Sequence, residues 1–270
     1  SLGGWVGGLA FVLPGLVDPH THLDMPFGGT TTIDDVQSGQ TAAAFGGTTC
    51  HVDFCIQPQG STFAAALDEW RSKASGKQVI DMGYHIAITD LSEPERLEEL
   101  ATLPEQGVTS YKLFMAYKGA LQVDDETLFK SMEVAAASGA LVMVHAENGD
   151  AIDVLVKQAL AAGNTAPHFH ALTRPPETEG EATNRAIQLA HVAGAPLYVV
   201  HVTCKEAVDP IALAREKARE ERKLQLLTID PHSPPEFRDN GAAVNHDGFH
   251  EAFKTKPGDK MLTMDLSHGG

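Results

Sequence analysis

Six times along this chain a short apolar run of strand length gives way to a helical pattern, and that alternation constrains the fold more than any other feature. The runs cover residues 12–17, 48–54, 79–88, 108–115, 140–145 and 196–202. Continuous β-branched runs of this kind read as parallel strands buried on both faces. Helical patterns fill the gaps over residues 34–45, 61–75, 124–137, 150–162, 177–193 and 205–221, with a further one opened by Ser92-Glu93-Pro94-Glu95. Ser61 reads as an N-cap, and Ser92 with Glu95 three residues on reads as a capping box. Six consecutive βα units are the sign of a parallel sheet joined by right-handed crossovers.

Two architectures fit such a run, a doubly wound open sheet and a (β/α)8 barrel. Neither GxGxxG nor GxxxxGK[ST] follows any strand, which weakens a nucleotide-binding open sheet. Polar residues instead mark the strand ends: His20 and His22, Lys112, His145 and His201 all fall at or near a C-terminal end. A barrel gathers those ends on one face, where its active sites lie, whereas an open sheet spreads them out. The expected fold is therefore α/β, an incomplete (β/α)8 TIM-type barrel of about six units over residues 1–221. Residues 222–270 read as an unrelated, irregular tail with one strand over 224–229 and a short helix near 247–253.

Composition excludes several function classes. The 270 residues are 43% hydrophobic and 21% charged, which suits a globular protein with an ample core. A net charge of −16 argues against nucleic-acid and anionic-membrane partners, which need basic surface. The three cysteines, Cys50, Cys55 and Cys204, form no CxxC pair, so reduced thiols in a cytoplasmic protein are expected. The apolar start lacks a basic region and an A-x-A-like site, and is not read as a signal peptide.

The candidate chemistry sits in the histidines. His20 and His22 flank Thr21, and in extended chain such i, i+2 residues point the same way, so both imidazoles can reach one ion. Alone, an HxH is as well explained by loop histidines bonded to backbone. His145 and His201, each late in an apolar strand, shift the balance toward a metal centre, because neutral imidazole is the commonest ligand for zinc and similar ions. Lys112 lies inside the fourth strand, where a charged amine is costly unless paired. It either loses its charge, is converted to a carbamate, or reaches the strand end and solvent.

The segments GLVDPHTHLDMPFGGTTTIDD, FGGTTCHVDF, SYKLFMAYKG, VHAENGD and PLYVVHVTCKEA, in this order, resemble the D-hydantoinase and dihydropyrimidinase branch of the amidohydrolases. The likeness runs from about residue 11 to residue 217. It implies a (β/α)8 barrel with two divalent metal ions, usually zinc. By the same resemblance His20 and His22 would hold one metal, His145 and His201 the other, and a carbamylated Lys112 would bridge them. Tyr117 would hydrogen-bond the substrate carbonyl and its oxyanion. The implied reaction is hydrolysis of the ring amide of a small cyclic ureide, a hydantoin or dihydropyrimidine, to an N-carbamoyl amino acid. Dihydroorotase-like relatives place an Arg two residues after HxH. Here that position is Asp24, which favours uncharged ureides. A homo-oligomer is compatible with the family.

Two departures accompany the resemblance. The family's strand-eight aspartate, in a GTDHAPF-like context, has no counterpart in this sequence. The tail, LTIDPHSPPEFRDNGAAVNHDGFHEAFKTKPGDKM, resembles instead the C-terminal segment of neprilysin-type zinc metallopeptidases. The zinc-binding HExxH of that family is absent, so no peptidase activity is assigned. Asp230, which follows the apolar run 224–229, is a candidate substitute for the missing ligand and base. The alternative to an enzyme is a non-catalytic, scaffold-like relative of the same family.

Overall fold

The computed structural model describes the backbone of residues 4–6, 10–227 and 262–264, with side chains over 13–220. The chain divides into two compact units, residues 1–87 with 105–108, and residues 88–104 with 109–270.

The first unit opens with an antiparallel pair, β1 (Gly4–Val6) and β2 (Ala10–Val12). β3 (Leu16–Thr21) follows, and then a small hairpin, β4 (Pro26–Phe27) and β5 (Thr30–Thr31). Gly28 and Gly29 link that hairpin with φ of 61° and 82°, the left-handed pair that a two-residue turn between twisted strands requires. Helix α1 (Val36–Phe45) is capped by Asp35, whose carboxylate accepts the Ser38 N–H. β6 (Thr48–Ile56), α2 (Phe63–Ala74) and β7 (Asp81–Ala87) complete the unit, with β3, β6 and β7 in parallel order. Pro19 lies inside β3 and has no N–H to donate. The β3–β6 register shifts between Asp18 and Thr21, an irregularity of the kind that re-aims side chains next to functional sites.

The second unit continues the pattern. It contains α3 (Glu95–Thr102), β8 (Ser110–Phe114), α4 (Asp125–Ser138) and β9 (Leu141–His145), then α5 (Gly149–Ala161) and a short α6 (Phe169–Leu172). α7 (Pro176–Ala193), β10 (Leu197–Val199) and α8 (Lys205–Leu227) follow. β8, β9 and β10 are parallel neighbours, and β11 (Leu262–Met264) pairs parallel beside β10. Every residue of β8 is buried, as a strand covered on both faces must be.

All six expected strands are present. Three local expectations are corrected. Thr62, not Ser61, caps α2, through its hydroxyl to the Ala65 N–H. No capping box forms at Ser92: α3 starts after Pro94, whose fixed φ is already helical and which has no N–H to satisfy. The strand expected over 224–229 is helical as far as Leu227, because Arg, Lys, Gln and Leu are straight-chain helix formers without β-branching. Residues 228–229, Asp230 and the helix expected near 247–253 lie outside the described residues.

Candidate metal centre

In the first unit His20 closes β3 one residue from its end, and His22 lies just beyond. Their rings meet edge to face, 5.1 Å between centroids, and both pack on the ring of Phe54, at 4.6 and 4.8 Å. The HxH spacing therefore does what extended chain dictates and puts two imidazoles on one side of the strand. Asp24 follows in a left-handed backbone conformation, φ 51°, with its carboxylate 3.5 Å from the Lys77 ammonium. It is a turn residue held by an ion pair.

Sequence reasoning passed over the polar groups beneath this pair. Asp53 of β6 is buried, and its carboxylate accepts the backbone N–H groups of Leu23 (3.0 Å) and Phe54 (2.7 Å). Burial pushes the Asp53 carboxyl up to about 7, against the pull of those two N–H groups. His51 and His85 are buried as well, bonded to Thr21 and to the Pro19 carbonyl respectively. The one signal available was the polar alternation His51, Asp53 in the apolar part of the strand, residues 50–56.

In the second unit His145 is the last residue of β9 and His201 lies two residues past β10. Residues 142–144 and 197–199 pair in parallel register, which brings two histidines 56 positions apart into contact. His145 Nδ1 and His201 Nε2 approach to 3.1 Å. His145 Nε2 donates to the Glu147 carboxylate at 2.7 Å, and Arg174 stands 3.7 Å from the other carboxylate oxygen. Burial lowers the His145 pKa and keeps the ring neutral. Burial alone would raise Glu147, but the His145 hydrogen bond and the Arg174 charge hold it below its ordinary value. Glu147 thus fixes the tautomer that leaves His145 Nδ1 with its lone pair, a standard role for a carboxylate behind a metal-ligating histidine.

Lys112 is 1% exposed in the middle of β8, with its Nζ 5.1 Å from the centre of the Phe114 ring. Its charge also contributes to lowering His145. Tyr117 packs on His145, 5.0 Å between ring centres, and adopts φ 69°. Its carbonyl accepts N–H groups from Ala120, Leu121 and Gln122, which fastens the turn that carries the ring. Burial, then the Glu147 charge, raises the Tyr117 phenol, so it remains an O–H donor. Tyr117, His145, Glu147, Arg174, His201 and Thr203 line a cavity of about 180 Å³. Among the described residues the non-glycine positions with positive φ are Asp24, Tyr117 and His201. All three lie in candidate-site segments, where backbone strain concentrates.

The donor set fits a divalent metal. Two ligands about 2.0–2.1 Å from a tetrahedral ion sit about 3.3 Å apart, close to the separation of His145 Nδ1 and His201 Nε2. Among the described residues no group of three or more His, Cys, Asp and Glu side chains forms a ready metal cluster, so each unit supplies an imidazole pair.

Parallel βα units with polar side chains at the strand ends define a (β/α)-barrel class of protein. The chain matches the model of the amidohydrolase family over residues 11–220, and it belongs to that family. The D-hydantoinase of Geobacillus stearothermophilus is 57% identical over 208 residues, covering 77% of this chain and 44% of the relative. The dihydropyrimidinase of Arabidopsis thaliana is 46% identical over 225 residues, covering 82% and 42%. The solved structure of D-hydantoinase from a Bacillus sp. AR9 superposes with a TM-score of 0.73 at 58% identity, over 76% of this chain and 45% of that one. The fold class is accordingly an incomplete (β/α)8 TIM-type barrel. The chain spans less than half the length of these relatives. Residues 211–268 match peptidase family M13. The two family matches overlap on α8, which runs unbroken from Lys205 to Leu227.

Proposed function

We propose that this chain binds two divalent metal ions, zinc by preference, and hydrolyses the ring amide of a hydantoin or dihydropyrimidine to an N-carbamoyl amino acid. His20 and His22 would hold one ion, His145 and His201 the other, with Lys112, as a carbamate, a further ligand. The observation that carries the reading is the convergence of His145 Nδ1 and His201 Nε2 at 3.1 Å behind an orienting Glu147. When bound, the metal pair supplies Lewis acidity and a nucleophile usable at neutral pH. The chain's own groups do the rest. Tyr117 keeps its proton and donates a hydrogen bond where oxyanion charge develops on the ring carbonyl. Burial keeps His145 neutral, and Glu147 orients its ring. The three cysteines are free thiols, which suits a reducing compartment such as the cytoplasm. Asp230 remains the candidate for the absent strand-eight aspartate.

Elemental analysis of the purified chain, followed by assays on hydantoin and dihydrouracil, tests this. About two ions per chain with ring opening supports the enzyme. Metal without turnover supports the non-catalytic relative. A metal-free chain overturns both ligand assignments.

A further inference from the structure

The HxH segment is fastened to the first unit at three successive alternate positions. The Pro19 carbonyl accepts a hydrogen bond from His85 Nε2 at 2.8 Å. The Thr21 hydroxyl meets His51 Nδ1 at 2.7 Å. The Leu23 N–H donates to Asp53 Oδ2 at 3.0 Å. These anchors alternate with the two histidines: residues 19, 21 and 23 are tied to β6 and β7, and residues 20 and 22 carry the imidazoles.

The proton positions in the middle anchor follow from the contacts alone. Gln40 Oε1 accepts the backbone N–H groups of Val79 (2.6 Å) and Ile80 (3.0 Å), which fixes the amide orientation. The Gln40 NH2 therefore faces His51 Nε2, 2.8 Å away, and that nitrogen must be the acceptor. The His51 proton then sits on Nδ1 and is donated to Thr21 Oγ1. The Thr21 hydroxyl, having accepted, donates its own proton to the Val52 carbonyl at 3.3 Å. The chain runs in one direction from backbone amide to backbone carbonyl. Gln40 and Asp53 are fully buried, and His51 is 2% exposed. Polar groups at that depth are costly unless every member is satisfied, and a satisfied network of this kind gives a rigid, single geometry.

We infer that Asp53, His51 with Gln40, Thr21 and His85 are positioning residues that set the backbone of residues 19–23 so that His20 and His22 present their imidazoles to one divalent cation. The inference rests on the reading of His20 and His22 as ligands. None of the four groups touches the ion; each acts through the strand that bears it.

The test uses the full 270-residue chain and Zn2+ alone, with affinity read by competition against a chromophoric chelator. His22→Ala should lose one bound ion. Thr21→Val keeps the shape of the side chain and removes the hydroxyl, and should bind that ion about 10–100-fold more weakly, the usual loss when a partner that orients a ligand is removed. Thr21→Ser keeps the hydroxyl and should restore wild-type affinity. A packing role predicts the opposite order, with Val tolerated and Ser impaired. Asp53→Asn places an N–H donor against an N–H donor and should weaken binding to a similar degree. If that variant fails to fold, the Thr21 pair decides alone. Nitrogen-15 NMR of the metal-free chain should show His51 as the Nδ1–H tautomer. An Nε2–H tautomer, or wild-type affinity in Thr21→Val, overturns the positioning inference while His22→Ala still loses its ion. Wild-type binding in His22→Ala overturns instead the ligand reading beneath it.

Discussion

The two imidazole pairs are built in opposite ways. His20 and His22 come from one strand, and their relative placement is fixed by chain geometry before any tertiary contact forms. His145 and His201 come from different strands and meet only because β9 and β10 pair in one particular register. Their surroundings differ as well. Beneath the first pair lies a buried, directional hydrogen-bond chain, with Asp53 pushed up to about 7 by burial. Behind the second lies an ionised Glu147 braced by Arg174 and open to a cavity. A pair encoded locally needs its strand held still; a pair assembled from distant segments needs its individual rings oriented. Glu147 orients one ring directly, whereas the first-unit network acts on backbone and on Thr21.

Several measurements break or sharpen that contrast. The largest effect is expected at Lys112. Lys112→Met replaces a buried amine by a side chain of similar length, so the fold should persist while elemental analysis finds bound zinc lost. Retention of two ions would remove Lys112 from the site.

Next is a pH effect confined to the first unit. The folded chain holds the Asp53 proton up to about pH 7, while an unfolded carboxyl releases it near 3.8. Between those values the folded state binds more protons, so stability should fall as pH rises through the window and level off above it. The total is about 4 kcal/mol at about 1.4 kcal/mol per pKa unit. Lys73 and Asp24, which face Asp53, pull in opposite directions on this value. Denaturant melts in chelator should show the slope in the wild type and a flatter profile in Asp53→Asn.

Tyr117→Phe should lower kcat for hydantoin about 10²–10³-fold, the usual loss on removing one oxyanion donor, with metal content unchanged. A loss of metal in that variant would mean that Tyr117 supports the fold of the turn rather than the reaction. Glu147→Gln should weaken zinc binding about 10–100-fold while leaving the His20–His22 ion in place. Equal losses from both sites would erase the proposed distinction between them. The smallest effect is a control far from either pair. Asp124 caps α4 through the Thr127 N–H, and Asp124→Ala should cost about 1 kcal/mol of stability without altering metal content.

Much of this molecule could be read from its sequence, for identifiable reasons. Strand-length apolar runs and helical periodicity are local signals, so the six strands and the helices between them were legible. The side-by-side placement of His20 and His22 was legible because residues i and i+2 of extended chain point the same way. Cap identity was less so: Ser61 and Thr62 are adjacent hydroxyl residues, and only the backbone angles of Thr62 let its oxygen reach the Ala65 N–H. The run read as a strand over 224–229 was misleading because leucines satisfy either period, and α8 continues to residue 227 instead.

Tertiary structure alone decided who stands behind the histidines. Gln40 reaches His51 across 11 positions, His85 reaches Pro19 across 66, and His145 reaches His201 across 56. No spacing rule connects such residues, since their approach depends on strand register and on which faces are buried. Sequence by itself determined the alternation of strands and helices and the residue types at the strand ends. The proton on His51 and the raised carboxyl of Asp53 came only with the fold, because they depend on distant partners and on burial, whereas the His145 tautomer rests on Glu147 two positions along the chain.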